Sequence, residues 1–356
     1  MRRLWHLLRI LILPLSALPF ATFLTISAAN HPTTVHIEGV RATGETPWAA
    51  PAITLSHRER ALTAPPSYRG KIPSLVYHGI GYRDDPYTLT PEKFSEQMAL
   101  LKRLGYHTIS MAQYLAWRLH KPVKLPSRPI LITFDDGRFD TYRGADQILA
   151  KYHMRATVFV IVGQVQKHNL FYCTWAELKK MQRSGRWDIQ FHANHGHTYV
   201  PYNALGDKGA FYAVREWRNG HRETLTQYTT RVQNDITQGL AILHGHGFTD
   251  LKTMAMPFGE FGRFPSAPIY DRAAKQRLDQ LLSKRFVSIF IQSGFSFTPY
   301  SSPTRAAIRK EVRHSTTINQ LYRYLNGADP VVIAARVRAC QPPLLTWDAI
   351  NAKCYR

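Results

Sequence analysis

Two groups of ionisable side chains stand out in the sequence by their types and spacing. One is the adjacent pair Asp135 and Asp136, followed directly by Gly137, and the other is the run HANHGH at positions 192–197. Two histidines and one carboxylate make a metal site that leaves coordination positions open for water and a substrate. A neighbouring carboxylate that binds no metal stays available as a general base. Together these residue types predict metal-assisted hydrolysis. The same ligands could hold Fe(II) for oxygen chemistry, which does not need the second carboxylate.

The two members of the acidic pair can take separate roles, because adjacent side chains at the end of a strand point in different directions. One carboxylate can bind a cation while its neighbour stays free, and Gly137 permits a tight turn out of the strand. Asp and Gly are also common in solvated turns. The pair by itself is therefore compatible with an ordinary turn.

The histidine run leaves open which imidazoles would bind a metal together. His192 and His197 are five positions apart, so on a straight strand they would face opposite ways. They converge only if the chain turns between them, and Asn194 and Gly196 are suited to that turn. His195 could pair with either neighbour instead or face solvent, and a histidine-rich loop without a metal is the remaining alternative.

Two further strand ends carry candidate site residues. The segment TMAMPFG at 253–259 ends in Pro257, Phe258 and a glycine. A backbone N–H there could donate to an oxyanion and Phe258 could form a wall of the cleft, although an ordinary turn explains the same residues. His78 follows the apolar run SLVY, where it could line the site or serve as a structural histidine.

The candidate residues follow short apolar runs that are typical of strands. Between these runs lie amphipathic stretches with three- and four-residue apolar spacing, such as PEKFSEQMALLKRLG at 91–105. Continuous apolar strands such as PILITF are expected in a parallel sheet that helices cover on both faces. The predicted strands are 73–78, 107–111, 129–134, 156–162, 188–192, 253–257 and 287–292, and the other predicted helices are 144–153, 174–185, 225–243 and 317–325.

This alternation predicts an α/β fold, a distorted and incomplete (β/α) barrel of about seven parallel strands. An open doubly wound sheet is the alternative. In both architectures, functional groups gather just after the carboxyl ends of strands. The acidic pair and the histidine run stand at such positions, so we expect them to meet on one face of the barrel.

The two ends of the chain lack this alternation and divide the sequence into four parts. Residues 1–29 begin with MRRLWHLLR and continue as an uncharged apolar run, which is typical of a signal peptide or a membrane anchor. Residues 30–71 contain several prolines and form a predicted spacer. The main domain is predicted over 72–328 and a short tail over 329–356.

The N-terminal segment predicts export. The arginines that precede the apolar run keep the N-terminus in the cytoplasm and place the bulk of the chain outside. The protein is therefore expected to be secreted, periplasmic or anchored to the outer face of the cytoplasmic membrane. In that compartment a disulfide between Cys340 and Cys354 is reasonable, and three unpaired thiols are the alternative.

The composition narrows the class of partner. The chain has 356 residues, 46 Lys and Arg against 24 Asp and Glu, and an apolar fraction of 44%, which is too high for intrinsic disorder. A net charge of +22 suggests an anionic partner: nucleic acid, a membrane surface or an acidic polymer. The sequence shows no nucleic-acid-binding motif, and an exported protein seldom meets nucleic acid. We therefore expect an anionic membrane or cell-wall surface as the partner and no nucleic acid. Nothing in the sequence indicates an oligomeric state.

The motifs resemble those of the polysaccharide deacetylase family, the carbohydrate esterases that share the chitooligosaccharide-deacetylase homology domain. The resemblance covers roughly residues 72–328 and is most specific where TFDDG is followed by KYHMRATVFV. It also includes PSLVYHGI, PEKFSEQMALLKRLGYHTIS, the histidine run and the PFG segment.

The resemblance implies a role for each matching residue. Asp135 would be the general base, and Asp136 would bind the metal with His192 and one of the later histidines. Most members have three residues between the two histidines, whereas four lie between His192 and His197. That longer spacing, and the stretch 218–236 after the histidine run, resemble the branch that partly deacetylates poly-β-1,6-N-acetylglucosamine, the exopolysaccharide of biofilms. The resemblance thus implies His197 as the third ligand.

The expected function is removal of acetyl groups from N-acetylglucosamine units of an extracellular polysaccharide. The expected cofactor is a divalent metal, zinc in the first place, with cobalt, nickel or iron as alternatives. Pro257 and Phe258 would contact the substrate. Peptidoglycan or chitooligosaccharides are alternative substrates, and a glycan-binding relative without catalysis is the alternative from another class.

The sequence departs from the family pattern in two places. Many members carry a Leu-x-His motif near the last strand, whose histidine is the general acid, and no such motif is present there. The arginine that often precedes the proline-containing motif is replaced by Met254 and Met256. The proton donor to the leaving amine is therefore not assigned by the resemblance.

Overall fold

The computed structural model describes residues 71–121, 123–260, 271–292, 298 and 305–325. The predicted signal peptide or anchor, nearly all of the spacer, and the tail with Cys340 and Cys354 lie outside these residues. The predicted limits of the main domain, 72–328, stay a prediction. Among the described helices, none combines the length and the apolar character that a membrane span requires.

The strands of the described residues are short, and most are buried along their whole length. In chain order they are β1 (Ser74–Tyr77), β2 (Gly79–Ile80), β3 (Thr88–Leu89), β4 (His107–Thr108), β5 (Pro129–Phe134), β6 (Ala156–Ile161), β7 (Trp187–Ala193), β8 (Tyr199–Pro201), β9 (Lys208–Ala210), β10 (Trp217–Arg218), β11 (His221–Arg222), β12 (Thr253–Ala255), β13 (Ser288–Gln292) and β14 (Ala306–Glu311).

Seven of these strands form a closed parallel barrel. The order around the ring is β1-β14-β13-β12-β7-β6-β5, and β5 pairs with β1 to close it. Every pairing in the ring is parallel. The expected barrel of about seven parallel strands is confirmed, and it is incomplete only in having one strand fewer than the regular eight.

Six of the seven predicted strands lie in the ring, and the seventh prediction was wrong in detail. Within 107–111 the structure has only the two-residue β4, which pairs with β5 outside the ring. The remaining barrel strand is β14, with the sequence AAIRKE. Its charged residues hide the continuous apolar pattern that marks the other strands, so it was not predicted.

Helices follow most of the barrel strands, and several begin at well-formed caps. Ser110, Thr174 and Thr224 each begin a helix with a capping box, in which side chain and backbone satisfy each other's hydrogen bonds. In chain order the helices are α1 (Pro91–Arg103), α2 (Met111–Arg118), α3 (Phe139–Lys151), α4 (Val162–Gln166), α5 (Trp175–Arg183), α6 (Leu225–Gly245), α7 (Arg272–Arg285) and α8 (Ile318–Leu325).

Two apolar clusters separate the inside of the barrel from its outer layer. The larger cluster joins strand residues to the helices, as in Phe94 of α1, Leu149 of α3 and Leu278 of α7. The second cluster takes one residue from each of five barrel strands, which indicates that it fills the interior: Leu131, Phe159, Ala255, Phe290 and Ala307. A packed interior leaves the open end of the barrel as the place for chemistry.

The chain between β7 and α6 forms a small extra layer beside the histidine run. It contains two antiparallel pairs, β8 with β9 and β10 with β11. A separate apolar cluster of Val200, Ala210, Ala213 and Val214 holds it together, and Phe258 packs against that cluster. This layer therefore touches the turn that follows β12.

Candidate active site

The ends of β5 and β7 bring one carboxylate and two imidazoles together. Asp136, His192 and His197 each offer one ligand atom, and these atoms all lie within 4.8 Å of one another. Asp136 Oδ1 is 3.5 Å from His192 Nε2 and 3.4 Å from His197 Nε2. Three ligand atoms about 2.1 Å from one ion at tetrahedral angles would be about 3.4 Å apart. The spacing of the donor atoms thus fits a small divalent metal ion.

The backbone at Asp136 is shaped to present its carboxylate. Asp136 has φ of 74° and Gly137 has φ of 72°, both in the left-handed region. An L-residue in that region costs about 1 kcal/mol, and aspartate is one of the few that adopt it readily. Asp136 Oδ1 is buried and has no hydrogen-bond partner in the described part of the chain. A buried carboxylate oxygen with no partner is costly, and a bound cation would satisfy it.

His192 is held in one orientation from behind. Its Nδ1 lies 2.7 Å from the carbonyl oxygen of Ala255 in β12, so Nδ1–H donates and Nε2 faces Asp136. A hydrogen bond from the far nitrogen to a carbonyl is the usual support of a metal-binding histidine. Burial opposes protonation of His192, but the neighbouring Asp136 and Asp135 outweigh it and raise its pKa. The His192 imidazole therefore lies beside two negatively charged carboxylates, and a positive charge at this place would balance them.

The structure brings His197, and not His195, to this group. The His195 side chain is exposed, while that of His197 is partly buried beside His192, with 5.0 Å between their ring centroids. Burial, followed by the charge of His192, lowers the pKa of His197 to about 4. A neutral imidazole at neutral pH is the form that binds a metal. The choice of His197 as ligand stays a prediction that this geometry favours.

A buried carboxylate on α6 fixes the loop that carries His197. Asp235 accepts hydrogen bonds from the backbone N–H of Asn194 at 3.0 Å and of His195 at 2.6 Å. The hydroxyl of Tyr212 donates to the same carboxylate at 2.5 Å. The turn that the sequence required between His192 and His197 is therefore held by a side chain about forty residues farther along the chain.

Asp135 is buried and paired with an arginine on β14, which is separated from β5 in the ring only by β1. The Arg309 guanidinium on β14 donates to both carboxylate oxygens, at 2.6 and 2.7 Å. Burial opposes ionisation of Asp135, but the Arg309 charge outweighs it, and the pKa of Asp135 lies below its ordinary value. Arg309 itself is fully buried, with Phe159 and Phe290 about its guanidinium. Asp135 is therefore an ionised carboxylate in a fixed orientation at neutral pH.

His78 lies at the end of β1 beside the same carboxylates. Tyr77, the residue before it, pairs with Phe134 of β5 and accepts a hydrogen bond from the Asp135 N–H at 2.9 Å, so His78 and the acidic pair leave adjacent strands side by side. The Nδ1 of His78 is buried and has no hydrogen-bond partner among the described residues. The carbonyl of His78 accepts a hydrogen bond from the Thr141 hydroxyl at 2.5 Å. The structure thus puts an imidazole with an unused nitrogen next to the candidate base.

Pro257 and Phe258 form a turn that reaches the histidines. Residues Pro257–Gly259 are one turn of 3₁₀-helix directly after β12. The Phe258 ring lies 4.4 Å from that of His197, centroid to centroid, while Pro257 is buried. Phe258 therefore packs against a residue of the ligand group, and its contact with substrate stays a prediction, as does that of Pro257.

Comparison with known proteins agrees with this arrangement. The family model described as polysaccharide deacetylase matches residues 123–276, which include the acidic pair, the histidine run and the PFG turn. The similarity to the polysaccharide deacetylase family thus covers 154 of the 356 residues. The sequence resemblance on which the residue roles depend is thereby confirmed at the level of the family.

The curated relatives carry a common name. A poly-β-1,6-N-acetyl-D-glucosamine N-deacetylase of Staphylococcus aureus is 32% identical over 177 residues, which are 49% of this chain and 60% of that protein. A protein of the same name from Staphylococcus epidermidis is 30% identical over 115 residues, 32% of this chain and 39% of that protein. The chain thus spans about 60% of the length of the Staphylococcus aureus relative.

Two solved structures share this fold. A de-N-acetylase from Aggregatibacter actinomycetemcomitans superimposes with a TM-score of 0.62 at 18% identity, covering 71% of this chain and 99% of that one. IcaB from Ammonifex degensii gives a TM-score of 0.55 at 22% identity, covering 72% of this chain and 97% of that one. At these identities the likeness shows the deacetylase fold alone.

Three residues that contribute to the candidate site were not assigned to it from the sequence. His78 was left as either a residue that lines the site or a structural histidine, and Arg309 and Asp235 were not singled out. A lone arginine within AAIRKE was a signal for Arg309, since a charge inside a strand needs a partner. Asp235 gave no comparable signal, because a polar residue on a long helix is usually on its solvent face.

Proposed function

We propose that the protein is a metal-dependent N-deacetylase that removes acetyl groups from N-acetylglucosamine units of an extracellular polysaccharide, poly-β-1,6-N-acetylglucosamine in the first place. The observation that carries the proposal is the meeting of a buried, ionised Asp135 with the ligand group Asp136, His192 and His197 at one end of the barrel. The names of the staphylococcal relatives support the choice of polysaccharide.

The three ligand residues are suited to hold a divalent ion in an open site. Asp136 would supply one carboxylate oxygen, and His192 and His197 would each supply Nε2. Zinc is the proposed metal, with cobalt, nickel or iron as alternatives. When bound, such an ion lowers the pKa of a water molecule and polarises an acetamide carbonyl.

Asp135 is proposed to accept the proton of the attacking water. Its low pKa keeps it ionised at neutral pH, and Arg309 fixes the plane of its carboxylate. Each carboxylate oxygen has a second lone pair for the water proton while the first accepts from Arg309. The attack forms a carbon–oxygen bond at the acetyl carbon and places negative charge on the carbonyl oxygen. A backbone N–H near Phe258 is the proposed protein donor to that oxygen.

His78 is proposed to complete the reaction as the proton donor. Breaking the carbon–nitrogen bond releases acetate and leaves the amine nitrogen of glucosamine in need of a proton. His78 follows β1 at the strand end next to the acidic pair, and its buried Nδ1 has no hydrogen-bond partner among the described residues, which suits this role. His78 would thus take the part of the histidine that many family members carry near their last strand.

Acetate release tests the proposal directly. Wild-type protein loaded with Zn²⁺ is expected to release acetate from defined N-acetylglucosamine oligomers, whereas Asp135→Asn and His192→Ala release none. Comparing β-1,6-linked with β-1,4-linked oligomers separates the proposed polysaccharide from peptidoglycan-type and chitin-type substrates. A wild-type protein that binds oligomers but releases no acetate with Zn²⁺, Co²⁺ or Ni²⁺ would show a glycan-binding protein without catalysis.

We also propose that the protein works outside the cytoplasm, near anionic lipids or wall polymers. The apolar segment before the spacer supports export, and the net charge of +22 supports attraction to such surfaces. Because the proposed glycan is uncharged, the charge would act on location and not on catalysis. Binding to vesicles rich in anionic lipid should weaken as salt rises, and binding independent of salt would contradict the electrostatic part.

A further inference from the structure

A stack of aromatic rings runs from the histidine group to the surface. The Phe258 ring lies 4.4 Å from His197, and the Tyr199 ring stacks on Phe258 with 4.3 Å between centroids and 28° between planes. Tyr199 is the outermost of these rings and is 45% exposed. A large aromatic side chain held in place on one face and open to solvent is a preformed binding surface.

Phe258 has an unfavourable backbone conformation, so other contacts must stabilise its place in this stack. Phe258 has φ of 59°, in the left-handed region, which is unfavourable for a bulky side chain. The rings of His197 and Tyr199 hold it on two sides, and the apolar cluster of the extra layer, which includes Val200 and Val214, packs against it. These contacts therefore fix the position of Phe258 and, through it, that of Tyr199.

A second exposed tyrosine lies on the other side of the candidate active site. Tyr87 is 38% exposed, and its ring is 5.0 Å from that of His78. The Arg313 guanidinium lies 5.3 Å from the Tyr87 ring. His78 is beside Asp135 and Asp136, so Tyr87 is separated from the reacting groups by one side chain.

The two tyrosines approach the ligand group from different strands of the barrel. Tyr199 reaches it through Phe258 and His197, after β7, and Tyr87 reaches it through His78, at the end of β1. In the ring, β1 and β7 lie on either side of β5, whose end carries Asp135 and Asp136. Tyr199 and Tyr87 therefore flank one opening, with the metal-ligand group and Asp135 between the elements that carry them.

We infer that Tyr199 is a stacking platform for a sugar ring next to the reacting unit, with Tyr87 as the facing wall of the same glycan cleft. The inference rests on the proposed function, because it names what lies on either side of the acetamide. A pyranose ring has an apolar face of C–H groups, which packs on an aromatic ring without needing a charge. The cleft would thus select a chain of uncharged sugars over a single sugar.

Binding of oligomers of increasing length tests the inference. The protein to use is the full chain with Asp135→Asn, loaded with Zn²⁺, so that the ligand survives, and the probes are β-1,6-linked N-acetylglucosamine oligomers from monomer to pentamer. Calorimetric affinity should rise with length. Adding Tyr199→Ala should lower the affinity for the longer oligomers about tenfold, since the burial of one ring face is lost, and leave the monomer unchanged. Tyr87→Ala should lower it about threefold on the same grounds.

Matched variants separate a stacking role from loss of structure. Tyr199→Phe keeps the ring and should bind as the parent does. Tyr82→Ala removes another exposed tyrosine, whose hydroxyl donates to Glu92 on α1, and should have no effect. Bound zinc should be unchanged in Tyr199→Ala, which would exclude a collapse of Phe258 onto the ligands.

The outcomes distinguish this inference from the proposed function. The inference is contradicted if no oligomer binds, if Tyr199→Ala binds the pentamer as the parent does, or if Tyr82→Ala loses as much. It stands if affinity depends on Tyr199 even when the wild type releases no acetate, a result that would sink only the proposed function. Acetate release that is insensitive to Tyr199→Ala at limiting pentamer would sink only the inference.

Discussion

At the scale of single residues, the buried ion pair of Asp135 and Arg309 is the feature of the site that most needs an explanation. The two side chains are at most 2% exposed and make two short hydrogen bonds. A buried ion pair is not in itself a source of stability, but removing one partner leaves an unpaired buried charge at a cost of about 3–5 kcal/mol. The pair is therefore better explained by the need for an ionised, oriented base than by stability.

Removing the arginine should change how activity depends on pH. In Arg309→Met the burial of Asp135 is no longer outweighed by a cation, so the pKa of Asp135 rises and the acidic limb of kcat/KM moves to higher pH. Arg309→Lys keeps a charge without the planar fork and should lie between the two. An acidic limb that does not move in Arg309→Met would contradict the role given to Arg309.

The same pair predicts a loss of stability in acid. The pKa of Asp135 is lower in the folded protein than its ordinary value of 3.8, so its contribution is fully present above that pH. The contribution is lost as the pH falls through the folded-state pKa. Urea unfolding between pH 5 and pH 2 should show a steeper loss for wild type than for Arg309→Met, in which the pKa is no longer lowered by the arginine.

Substitution of His78 should lower activity without removing the metal, unlike substitution of a metal ligand. His78→Gln keeps a side chain of similar length but cannot deliver a proton, so we expect kcat to fall about a hundredfold with bound zinc unchanged. His192→Ala should instead lose the metal. A His78→Gln protein with wild-type kcat would mean that another group protonates the leaving amine.

At the scale of elements, the site depends on helix α6 holding a loop that belongs to β7. Asp235 accepts from two backbone N–H groups of that loop and from Tyr212. Such supporting contacts decide the position of a ligand as much as the ligand's own rotamer does. These three hydrogen bonds to Asp235, here called the clamp, explain how His197 turns back towards Asp136 instead of continuing along the strand.

Breaking the clamp should weaken metal binding. Asp235→Ala is expected to lower zinc affinity about ten- to a hundredfold, and Tyr212→Phe to lower it less, because the carboxylate keeps its two backbone partners. Asp279→Asn, on an exposed part of α7, is the matched control. Competition with a chromophoric chelator measures all three, and unchanged zinc affinity in Asp235→Ala would contradict the clamp.

The elements also show what one sequence can and cannot predict. PILITF and ATVFVI were predictable as strands because residues buried on both faces give continuous apolar runs. The run HTISM at 107–111 was predicted as a barrel strand, yet only two of its residues pair, at the edge of β5. β14 was missed because its inward-facing Arg309 interrupts the apolar pattern, and the reason for that arginine lies on another strand.

At the scale of the whole molecule, the site exists only because the barrel closes. Asp135 and Arg309 are 174 residues apart in sequence and meet because β1 pairs with both β5 and β14. The acidic pair and the histidine run could be predicted to converge, since both follow parallel strands. The pairing of Asp135 with Arg309 could not, because a single sequence does not state which strands become neighbours.

The net charge is also a property of the whole molecule, and it does not enter the chemistry. In the candidate site, the charged contacts are the ion pair of Asp135 with Arg309 and the close approach of Asp136 to His192 and His197. The excess of 46 basic over 24 acidic residues is spread over the rest of the chain. The net charge therefore supports the proposed location and not the proposed reaction. Location and reaction should be tested in separate experiments.

Asp136, His192 and His197 are proposed to hold the metal that deacetylation needs. Bound zinc and released acetate, measured on the same preparations of wild type, His197→Ala and His195→Ala, test this proposal most directly. His195→Ala should retain both the metal and the activity, since its side chain is exposed and outside the ligand group. His197→Ala should lose both. Retention of metal and activity in His197→Ala, or their loss in His195→Ala, would contradict the account.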